Sequence, residues 1–446
     1  MRKLTLLLSI LPGALAAQAA PAVRLINAAE ASTKPVFGLV TAVRQLPNGS
    51  LLVNDVAKRQ LTLLDASLAN AVVVADSISG GANSYGTRPG GLIPYLGDST
   101  LFVDPAGLSM FVLNGKGAIA RIASVPRSQD AGAFTQGAPA LDAKGRIVYS
   151  GGRGGVRISA TQRANNGAAT SGPMLNFGDQ PDTAAIVRID PVTRKLDTAA
   201  FFKIPKIKMN MTNVDGRMSV TSEANPMPIV DDWAVLSDGS IAIVRGRDYH
   251  VDWINADGSA TASPKVSFDW QRLSDEDKIA VVDSAKAAME KARAAMANMP
   301  PDKAMAEAMR GGAGVAGGAP VMVMNFSTSD GGGGRGASVS GGPAGGPSIQ
   351  FVSPSELPDY RPAFGTGAAR ADADGNLWVR TSATRASSVA AGPIYDVINR
   401  KGEVIDRLQV PAGRSIIGFG KGGVVYMVAR DEKGTWVERT KIAPRM

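Results

Sequence analysis

Short apolar runs, separated by tight polar turns, recur along most of the chain. In the first unit, residues 40–65, apolar residues lie on both sides of the pair Asn48-Gly49. An Asn-Gly pair in this setting favours a two-residue β-hairpin, because both central residues of such a turn adopt positive φ. Later units have a glycine at the corresponding place, namely Gly97, Gly145, Gly239, Gly375 and Gly422.

These turn glycines recur at a nearly constant spacing. The first three are 48 residues apart, and the last two are 47 apart. A fixed period of this length, with four strands per unit, is typical of a β-propeller, since neighbouring blades cover each other's faces. The longer gaps, 145–239 and 239–375, lack the strand-turn-strand pattern, which favours insertions. The pattern therefore predicts an all-β fold, a six-bladed β-propeller, with seven blades as the alternative.

The last unit offers three strands before the chain ends. Residues 23–26, Val-Arg-Leu-Ile, have a strand-like pattern near the other end of the chain. A strand from the N-terminal region would complete the last blade and remove two exposed sheet edges. We therefore expect residues 23–26 and their neighbours to close the ring, and a disordered N-terminal region is the alternative.

The longest interruption of the repeat is residues 271–362, which we interpret as an insertion between blades four and five. Ser274-Asp275-Glu276-Asp277 resembles a capping box and predicts a helix over about 274–299. Its apolar positions follow three- and four-residue steps, and they are Ile279, Val282, Met289, Ala292, Met296 and Met299. This stripe is expected to pack on the propeller, and a partner-binding helix or lid is the alternative.

Two further segments interrupt the repeat. Residues 311–347 contain 14 glycines and have no steady apolar period, which predicts a mobile Gly-rich loop that proteases cut first. Residues 151–184 form a smaller polar excursion inside blade three.

The first residues have the pattern of a secretory signal peptide. Arg2 and Lys3 precede an apolar run over 4–11, and Ala17-Gln18-Ala19 places small residues before a cleavage site. We expect residues 1–19 to be removed before Ala20. This predicts a mature propeller over 20–446 that is periplasmic or secreted.

Composition removes several kinds of chemistry. The 446-residue chain has no cysteine and one histidine, His250. Disulfides, thiol nucleophiles, cysteine metal sites and multi-histidine metal centres are therefore excluded. We expect no cofactor and no metal.

The net charge of +9 comes from basic residues that are scattered along the sequence. Nucleic-acid binding requires clustered basic residues with stacking aromatics, so no nucleic-acid partner is expected. No later segment has the uncharged length of a membrane-spanning helix, so we expect no integral membrane segment. The expected form is a monomer.

The candidate binding residues follow from propeller geometry. The loop after the second strand of each blade lies on one rim near the channel mouth, opposite the hairpin turns. Converging charges at such a mouth are the default position of a ligand site. The residues at these places, our candidates for ligand binding, are Asp55, Asp104, Arg245, Asp248 and Arg380. Two arginines at one mouth favour a carboxylate, sulfate or phosphate, unless the acids pair with them internally.

No catalytic residue is assigned from the sequence. His250 has no Gly-x-Ser-x-Gly nucleophile motif to act with, and a structural role is the favoured interpretation. Asp372-Ala-Asp374-Gly375 has the start of a calcium loop, but the closing position has no acid, so a hairpin turn explains it better.

Two segments resemble a known group of proteins. Residues 46–55, Leu-Pro-Asn-Gly-Ser-Leu-Leu-Val-Asn-Asp, and 372–379, Asp-Ala-Asp-Gly-Asn-Leu-Trp-Val, resemble the six-bladed propellers of the NHL, TolB-like and gluconolactonase group. Residues 238–245 and 249–254 are similar to an exported bacterial subgroup without assigned activity. The resemblance implies the propeller fold over 36–126 and 230–442, outside the insertion.

The resemblance also bears on function. Gluconolactonase-like members bind a divalent metal through a Glu/Asn/Asp cluster in the channel, and that cluster has no residue-by-residue match here. Asp55 fits the acid that often ends the second strand in the group, whereas Arg245 and Arg380 depart from it and would oppose a cation. The favoured prediction is a non-catalytic module that binds a small anionic ligand or a protein partner. The alternatives are a metal-dependent hydrolase or lactonase, and a structural surface protein.

Overall fold

The computed structural model describes the blades of the propeller and part of the insertion. The described residues are 21–34, 36–78, 80–81, 83–88, 90–151, 159–161, 174–176, 181–206, 208–214, 217–297, 348–382, 392–432, 434–443 and 445. The predicted signal peptide (1–19) and the predicted Gly-rich loop (311–347) lie outside these residues.

The described residues form thirty strands and one α-helix. The first sixteen strands are β1 (Val23–Leu25), β2 (Ala31–Ser32), β3 (Val40–Gln45), β4 (Leu51–Asp55), β5 (Gln60–Leu64), β6 (Ala71–Asp76), β7 (Gly91–Pro94), β8 (Thr100–Asp104), β9 (Ser109–Leu113), β10 (Ile119–Ser124), β11 (Ala140–Leu141), β12 (Ile147–Ser150), β13 (Ser159–Thr161), β14 (Met174–Asn176), β15 (Thr183–Ile189) and β16 (Leu196–Lys203). The others are β17 (Lys208–Val214), β18 (Arg217–Ala224), β19 (Asp232–Val235), β20 (Ile241–Arg245), β21 (His250–Ile254), β22 (Ala260–Ala262), β23 (Ser348–Phe351), β24 (Ala369–Ala371), β25 (Leu377–Arg380), β26 (Ile394–Ile398), β27 (Val404–Gln409), β28 (Arg414–Gly420), β29 (Val424–Asp431) and β30 (Gly434–Lys441). Helix α1 is Asp275–Ala297.

Six sheets of these strands are the blades of a β-propeller, as the repeat predicts. From the innermost strand outward, they are β3-β4-β5-β6, β7-β8-β9-β10, β11-β12-β15-β16, β19-β20-β21-β22, β24-β25-β26-β27 and β28-β29-β30-β2. Within each blade the neighbouring strands are antiparallel. The two long gaps in the repeat hold insertions, so the fold has six blades within the described residues.

A hydrophobic cluster fills each of the six interfaces between neighbouring blades. Leu52 and Phe102 lie in the cluster between blades 1 and 2, and Val53 and Tyr426 lie in the one between blades 6 and 1. Corresponding clusters fill the other four interfaces. The second strand of a blade is covered on both faces, which explains why every residue of β4 is buried. The ring of interfaces supplies the core that a single four-stranded sheet lacks.

The predicted turn glycines occupy the turns between first and second strands. All six have positive φ, from +60° at Gly97 to +88° at Gly375. Glycine adopts this region without the steric cost that other residues have there. The period of the sequence therefore reflects one repeated backbone conformation.

The N-terminal region closes the ring through different residues from those expected. Ala31 pairs with Arg439 and Ser32 with Glu438, so β2 is the fourth strand of blade 6. The assignment of that role to residues 23–26 was wrong: β1 instead pairs in parallel with β27, as a fifth strand of blade 5. A two-residue strand has too short a pattern to be seen in the sequence.

The insertion between blades 4 and 5 contains the predicted helix. The Ser274 hydroxyl accepts the Asp277 N–H at 3.1 Å, and an Asp277 carboxylate oxygen accepts the Ser274 N–H at 2.9 Å, which is a capping box. The helix α1, as far as it is described, lacks the apolar length needed to cross a membrane.

The helix packs on the inserted segments more than on the blades. Val282 is buried with Val352 and Leu357 of the insertion and with Met227, which precedes blade 4. Strand β23 of the insertion also pairs with β18 of the connection before blade 4. The predicted apolar stripe is wrong at Ile279, which is 49% exposed, because the adjacent Lys278 is buried instead and its Nζ lies 2.7 Å from Asp359 Oδ1.

Candidate functional site

The ends of the second strands and the entries to the first strands share one rim, here called the upper rim. The Asp55 carboxylate at the end of β4 accepts the N–H groups of Gly38 and Leu39, which precede β3. The loops after second strands and the connections between blades therefore meet at this rim. Residues 151–182, 204–231 and 263–368 are the long connections that start there.

Two of the candidate residues, Asp55 and Asp104, bind backbone groups of their own blades. Asp55 is fully buried, and its oxygens accept the N–H groups of Gly38 at 2.8 Å and Leu39 at 3.0 Å. Asp104 is also buried and accepts the N–H groups of Gly86 and Ala106, both at 3.0 Å. These bonds hold the upper-rim loops to the innermost strands.

Arg245, at the end of β20, lies between two carboxylates. Its Nε lies 2.7 Å from Asp252 Oδ2, and its Nη1 lies 2.7 Å from Asp231 Oδ2. Burial alone would lower the pKa of Arg245, but hydrogen bonds to both carboxylates outweigh burial and raise it. Asp231 also accepts the Gly246 N–H at 3.1 Å, so it ties the loop after β20 to the start of the blade. The charge of Arg245 is thus balanced within the protein.

Asp248 lies beside the chain's only histidine. Its Oδ1 is 2.6 Å from His250 Nδ1, and the other ring nitrogen, Nε2, is 3.2 Å from Asp252 Oδ1. The contact with Asp248 is a hydrogen bond, and the contact with Asp252 lies within ion-pair distance. Burial opposes ionisation of Asp248, but His250 and Lys265 outweigh it and lower its pKa.

Arg380 occupies in blade 5 the position that Arg245 occupies in blade 4. Arg245 pairs with His250 across the sheet, and Arg380 pairs with Tyr395 in the same register. Ala368 stands opposite Arg380, since its carbonyl accepts the Arg380 N–H at 3.0 Å. Ala368 and Val397 therefore stand where blade 4 has Asp231 and Asp252.

This difference leaves the Arg380 guanidinium without a close partner among the described residues. It is half-buried and makes no ion pair or side-chain hydrogen bond with the residues that the structure describes. The structure thus places all five candidate residues at the upper rim, but it gives four of them close internal partners. Ligand binding by any of the five stays a prediction.

Asp232 is an acid that interacts electrostatically with Arg380, and the sequence did not identify it as a candidate. It begins β19, is half-buried, and accepts the Ala369 N–H of blade 5 at 2.8 Å. Burial raises the pKa of Asp232 to about 6, although backbone N–H groups and the charge of Arg380 act in the opposite direction. The pair Asp231-Asp232 before an apolar strand is the signal that could have identified it.

A cluster of polar side chains, formed by Tyr249, Asp396 and Arg407, joins blades 4 and 5 next to this part of the rim. The Tyr249 hydroxyl donates to Asp396 Oδ2 at 2.8 Å, and Arg407 Nε donates to Asp396 Oδ1 at 2.9 Å. Burial raises the pKa of Asp396, against the effects of Arg407 and Tyr249. Tyr249 immediately precedes β21 and has positive φ, +48°.

Metal-ligating groups do not cluster in the part of the chain that the structure describes. No three or more His, Cys, Asp or Glu side chains there are arranged to hold a metal ion. The metal-dependent hydrolase or lactonase therefore stays a prediction without a located site.

Comparisons with known proteins give distant structural similarities only. No family model matches the chain, and no curated protein matches it. A gluconolactonase from Xanthomonas campestris is similar in structure, with 9% sequence identity, 92% of this chain and 88% of that chain covered, and a TM-score of 0.36. The calcium-binding protein regucalcin from Agrobacterium tumefaciens gives 10% identity, 95% and 98% coverage, and a TM-score of 0.38.

A third similar structure is virginiamycin B lyase from Staphylococcus aureus, with 10% identity, 92% and 98% coverage, and a TM-score of 0.35. The gluconolactonase belongs by name to the group that the sequence resembles. Similarity at these TM-scores carries no argument about activity. The six-bladed fold itself rests on the sheets and interfaces described above.

Proposed function

We propose that the propeller is a binding module whose upper rim holds the anionic group of a small ligand or of a protein partner. Arg380 is the residue that contacts this anion. One observation carries the proposal: Arg380 repeats the position of Arg245 but lacks both of the carboxylates that balance Arg245. A half-buried guanidinium with free donors binds carboxylate, sulfate or phosphate in a bidentate manner.

The surroundings of Arg380 support an anion more than a cation. The opposite positions hold Ala368 and Val397, whose side chains offer no oxygen ligand to a metal. Asp232 supplies negative charge nearby, but its carboxylate already accepts a backbone N–H from blade 5. An arriving anion therefore competes with a single acid, whereas at Arg245 it would have to displace two.

We also propose that the chain is exported, on the basis of the signal-like pattern of residues 1–19. N-terminal sequencing of protein produced from the full chain should show Ala20 as the first residue, and an intact N-terminus would contradict the proposal.

Calorimetric titration with citrate, sulfate and phosphate tests the anion site. We expect Arg380→Gln to weaken binding of the anion that binds best by about tenfold or more, since a charged hydrogen bond is lost. The matched control is Arg121→Gln, which removes the same charge from an exposed position on β10. Equal binding by wild type and Arg380→Gln would reject the site.

The same titration with Arg245→Gln separates the two arginines. This variant should keep the anion affinity of the wild type once the folded fraction is corrected for, because Arg245 is held by Asp231 and Asp252. Loss of binding in Arg245→Gln, with retention in Arg380→Gln, would transfer the site to blade 4.

A further inference from the structure

Blade 5 has a second arginine close to Arg380. Arg370 lies in the middle of β24, the innermost strand of the blade, and pairs with Trp378 across the sheet. Ala368 stands opposite Arg380, so Arg370 and Arg380 are diagonal neighbours on one face of the blade. Residues at such diagonal positions lie about 7–8 Å apart, which is within reach of long side chains.

The face that carries both arginines is turned toward blade 6. Trp378, two residues before Arg380, is buried in the hydrophobic cluster between blades 5 and 6. Its neighbours along the strand, Leu377 and Val379, belong instead to the cluster between blades 4 and 5. Side chains alternate between the two faces of a strand, so Arg380 and its diagonal neighbour Arg370 lie on the side of the 5–6 interface.

The charge of Arg370 is not balanced within the described part of the chain. Arg370 is half-buried and makes no ion pair or side-chain hydrogen bond with the residues that the structure describes. The nearest acid along its strand, Asp372, is already engaged. Its Oδ2 accepts the side-chain N–H groups of Asn376 and Trp378, both at 2.9 Å, and its Oδ1 accepts two backbone N–H groups.

Blade 6 has an acid on the same interface, but that acid has its own arginine. Glu438 pairs across the sheet with Met427, which belongs to the 5–6 cluster. The buried Glu438 carboxylate forms a bidentate ion pair with Arg414, at 2.7 Å to Nε and 3.1 Å to Nη2. Asp232 of blade 4 is bound to a backbone N–H, and residues 383–391, which follow blade 5's second strand, contain no Asp or Glu. Positive charge is therefore in excess here.

We propose that Arg370 is a second anion-binding residue and that the site takes a small dicarboxylate. One carboxylate binds Arg380 at the upper rim, and the other binds Arg370, which lies deeper along the innermost strand. Each guanidinium offers paired N–H donors that match a carboxylate, so the two arginines fix the two ends of the ligand. A dianion also removes the repulsion between two neighbouring positive charges. This inference rests on the proposed function of Arg380, to which it adds the charge and length of the ligand.

The test is calorimetric titration, at constant ionic strength, with succinate, glutarate and adipate, each compared with the monocarboxylate of the same number of carbons. We expect the dicarboxylate that fits best to bind about tenfold more tightly than its monocarboxylate, because it gains a second charged contact. Arg370→Gln should abolish this preference and leave the affinity for the monocarboxylate unchanged. Arg380→Gln should weaken both ligands.

Two further variants separate charge from structure. Arg370→Lys keeps the charge and should restore most of the preference for the dicarboxylate. The matched control is Arg44→Gln, on the innermost strand of blade 1, where Arg44 is half-buried and its Nε donates to Thr100 Oγ1 at 2.9 Å. Because Arg44 lies in another blade and has partners there, this variant should bind both ligands as the wild type does.

The inference is overturned if Arg370→Gln binds the dicarboxylate as tightly as the wild type does. It is also overturned if Arg370→Gln weakens the dicarboxylate and the monocarboxylate by the same factor. In both cases a loss of binding in Arg380→Gln would leave the proposed anion site intact. A wild type that binds none of these ligands would overturn the inference and the proposed site together.

Discussion

Blades 4 and 5 carry an arginine at the same position of the second strand, but the two side chains differ in their surroundings. Arg245 is clamped between Asp231 and Asp252, each at 2.7 Å. Arg380 faces Ala368 and Val397 instead. One arginine holds a blade together, whereas the other makes no ion pair with a described residue.

The comparison shows that the role of a rim residue depends on the strands on either side of it. In blades 1 and 2 the same position holds an acid, and backbone N–H groups satisfy that acid. In blade 4 the corresponding position holds Arg245 instead of an acid. The acid Asp231 lies in the connection before the blade, where it accepts the Gly246 N–H. Blade 5 keeps the arginine without either acid, and the proposed anion site depends on this difference.

The largest expected effect on stability concerns Gly246, in the loop after β20, which lies against the connection before blade 4. A Cβ on Gly246 would lie 1.9 Å from the Val230 carbonyl oxygen, next to the Asp231 contact. Gly246→Ala should therefore lower the free energy of unfolding by about 3 kcal/mol, since backbone must move. Urea unfolding followed by tryptophan fluorescence measures this.

The matched control is Gly258→Ala, in a turn of the same blade with φ of +93° and open space around the added Cβ. It should cost about 1 kcal/mol from backbone strain alone. Equal costs for the two substitutions would show that the close approach at Gly246 is relaxed in solution.

Removal of the two arginines should separate their roles. Arg245→Met leaves Asp231 and Asp252 without their shared cation, and we expect a loss of about 2 kcal/mol in the free energy of unfolding. The value is below that of a fully buried pair because the side chains of Arg245 and Asp252 are 27% and 30% exposed. Arg380→Met should change stability by less than about 0.5 kcal/mol, because it breaks no ion pair with a described residue.

Thermal and urea unfolding of both variants checks this comparison. A cost for Arg380→Met as large as that for Arg245→Met would mean that Arg380 has an internal partner and is not free for a ligand. A negligible loss of unfolding free energy in Arg245→Met would also contradict the contrast between the blades, because it would show that Arg245 does not stabilise blade 4.

The fold could be predicted from the sequence because its signals are local. Each hairpin turn needs a glycine with positive φ, and the constant spacing of Gly49, Gly97 and Gly145 follows from one repeated unit. Ring closure was less visible, because β2 has only two residues and the more apolar pattern of β1 belongs to blade 5. In α1, the sequence could not show that Lys278 is buried by a partner 81 residues away.

The position of the candidate residues could be predicted from the sequence, but whether their charges have partners within the protein could not. The ends of β4, β8, β20 and β25 do lie on one rim. Whether a charge at such a place is satisfied depends on register across three strands, as the alignment of Asp231 with Arg245 shows. Asp232 was missed because its importance comes from burial and from its contact with blade 5, and neither is encoded in neighbouring residues.

The smallest expected effect concerns the pH dependence of anion binding at Arg380. The pKa of Asp232 is raised to about 6 by burial, and the charge of Arg380 acts against that rise. Above pH 6 Asp232 is ionised and repels an anion at Arg380. As the pH falls through about 6, Asp232 takes up a proton and the repulsion disappears, so binding should become a few-fold tighter.

Linkage requires the converse as well. An anion that neutralises Arg380 removes a charge that stabilises ionised Asp232, so ligand binding should raise the pKa of Asp232 and take up protons near pH 6. Sulfate suits this measurement because its own charge is constant from pH 5 to 8. Calorimetry in buffers of different ionisation enthalpy counts the protons, and Asp232→Asn should bind at pH 7.5 as tightly as the wild type does at pH 5. A pH dependence that persists in Asp232→Asn would show that a group other than Asp232 controls anion binding.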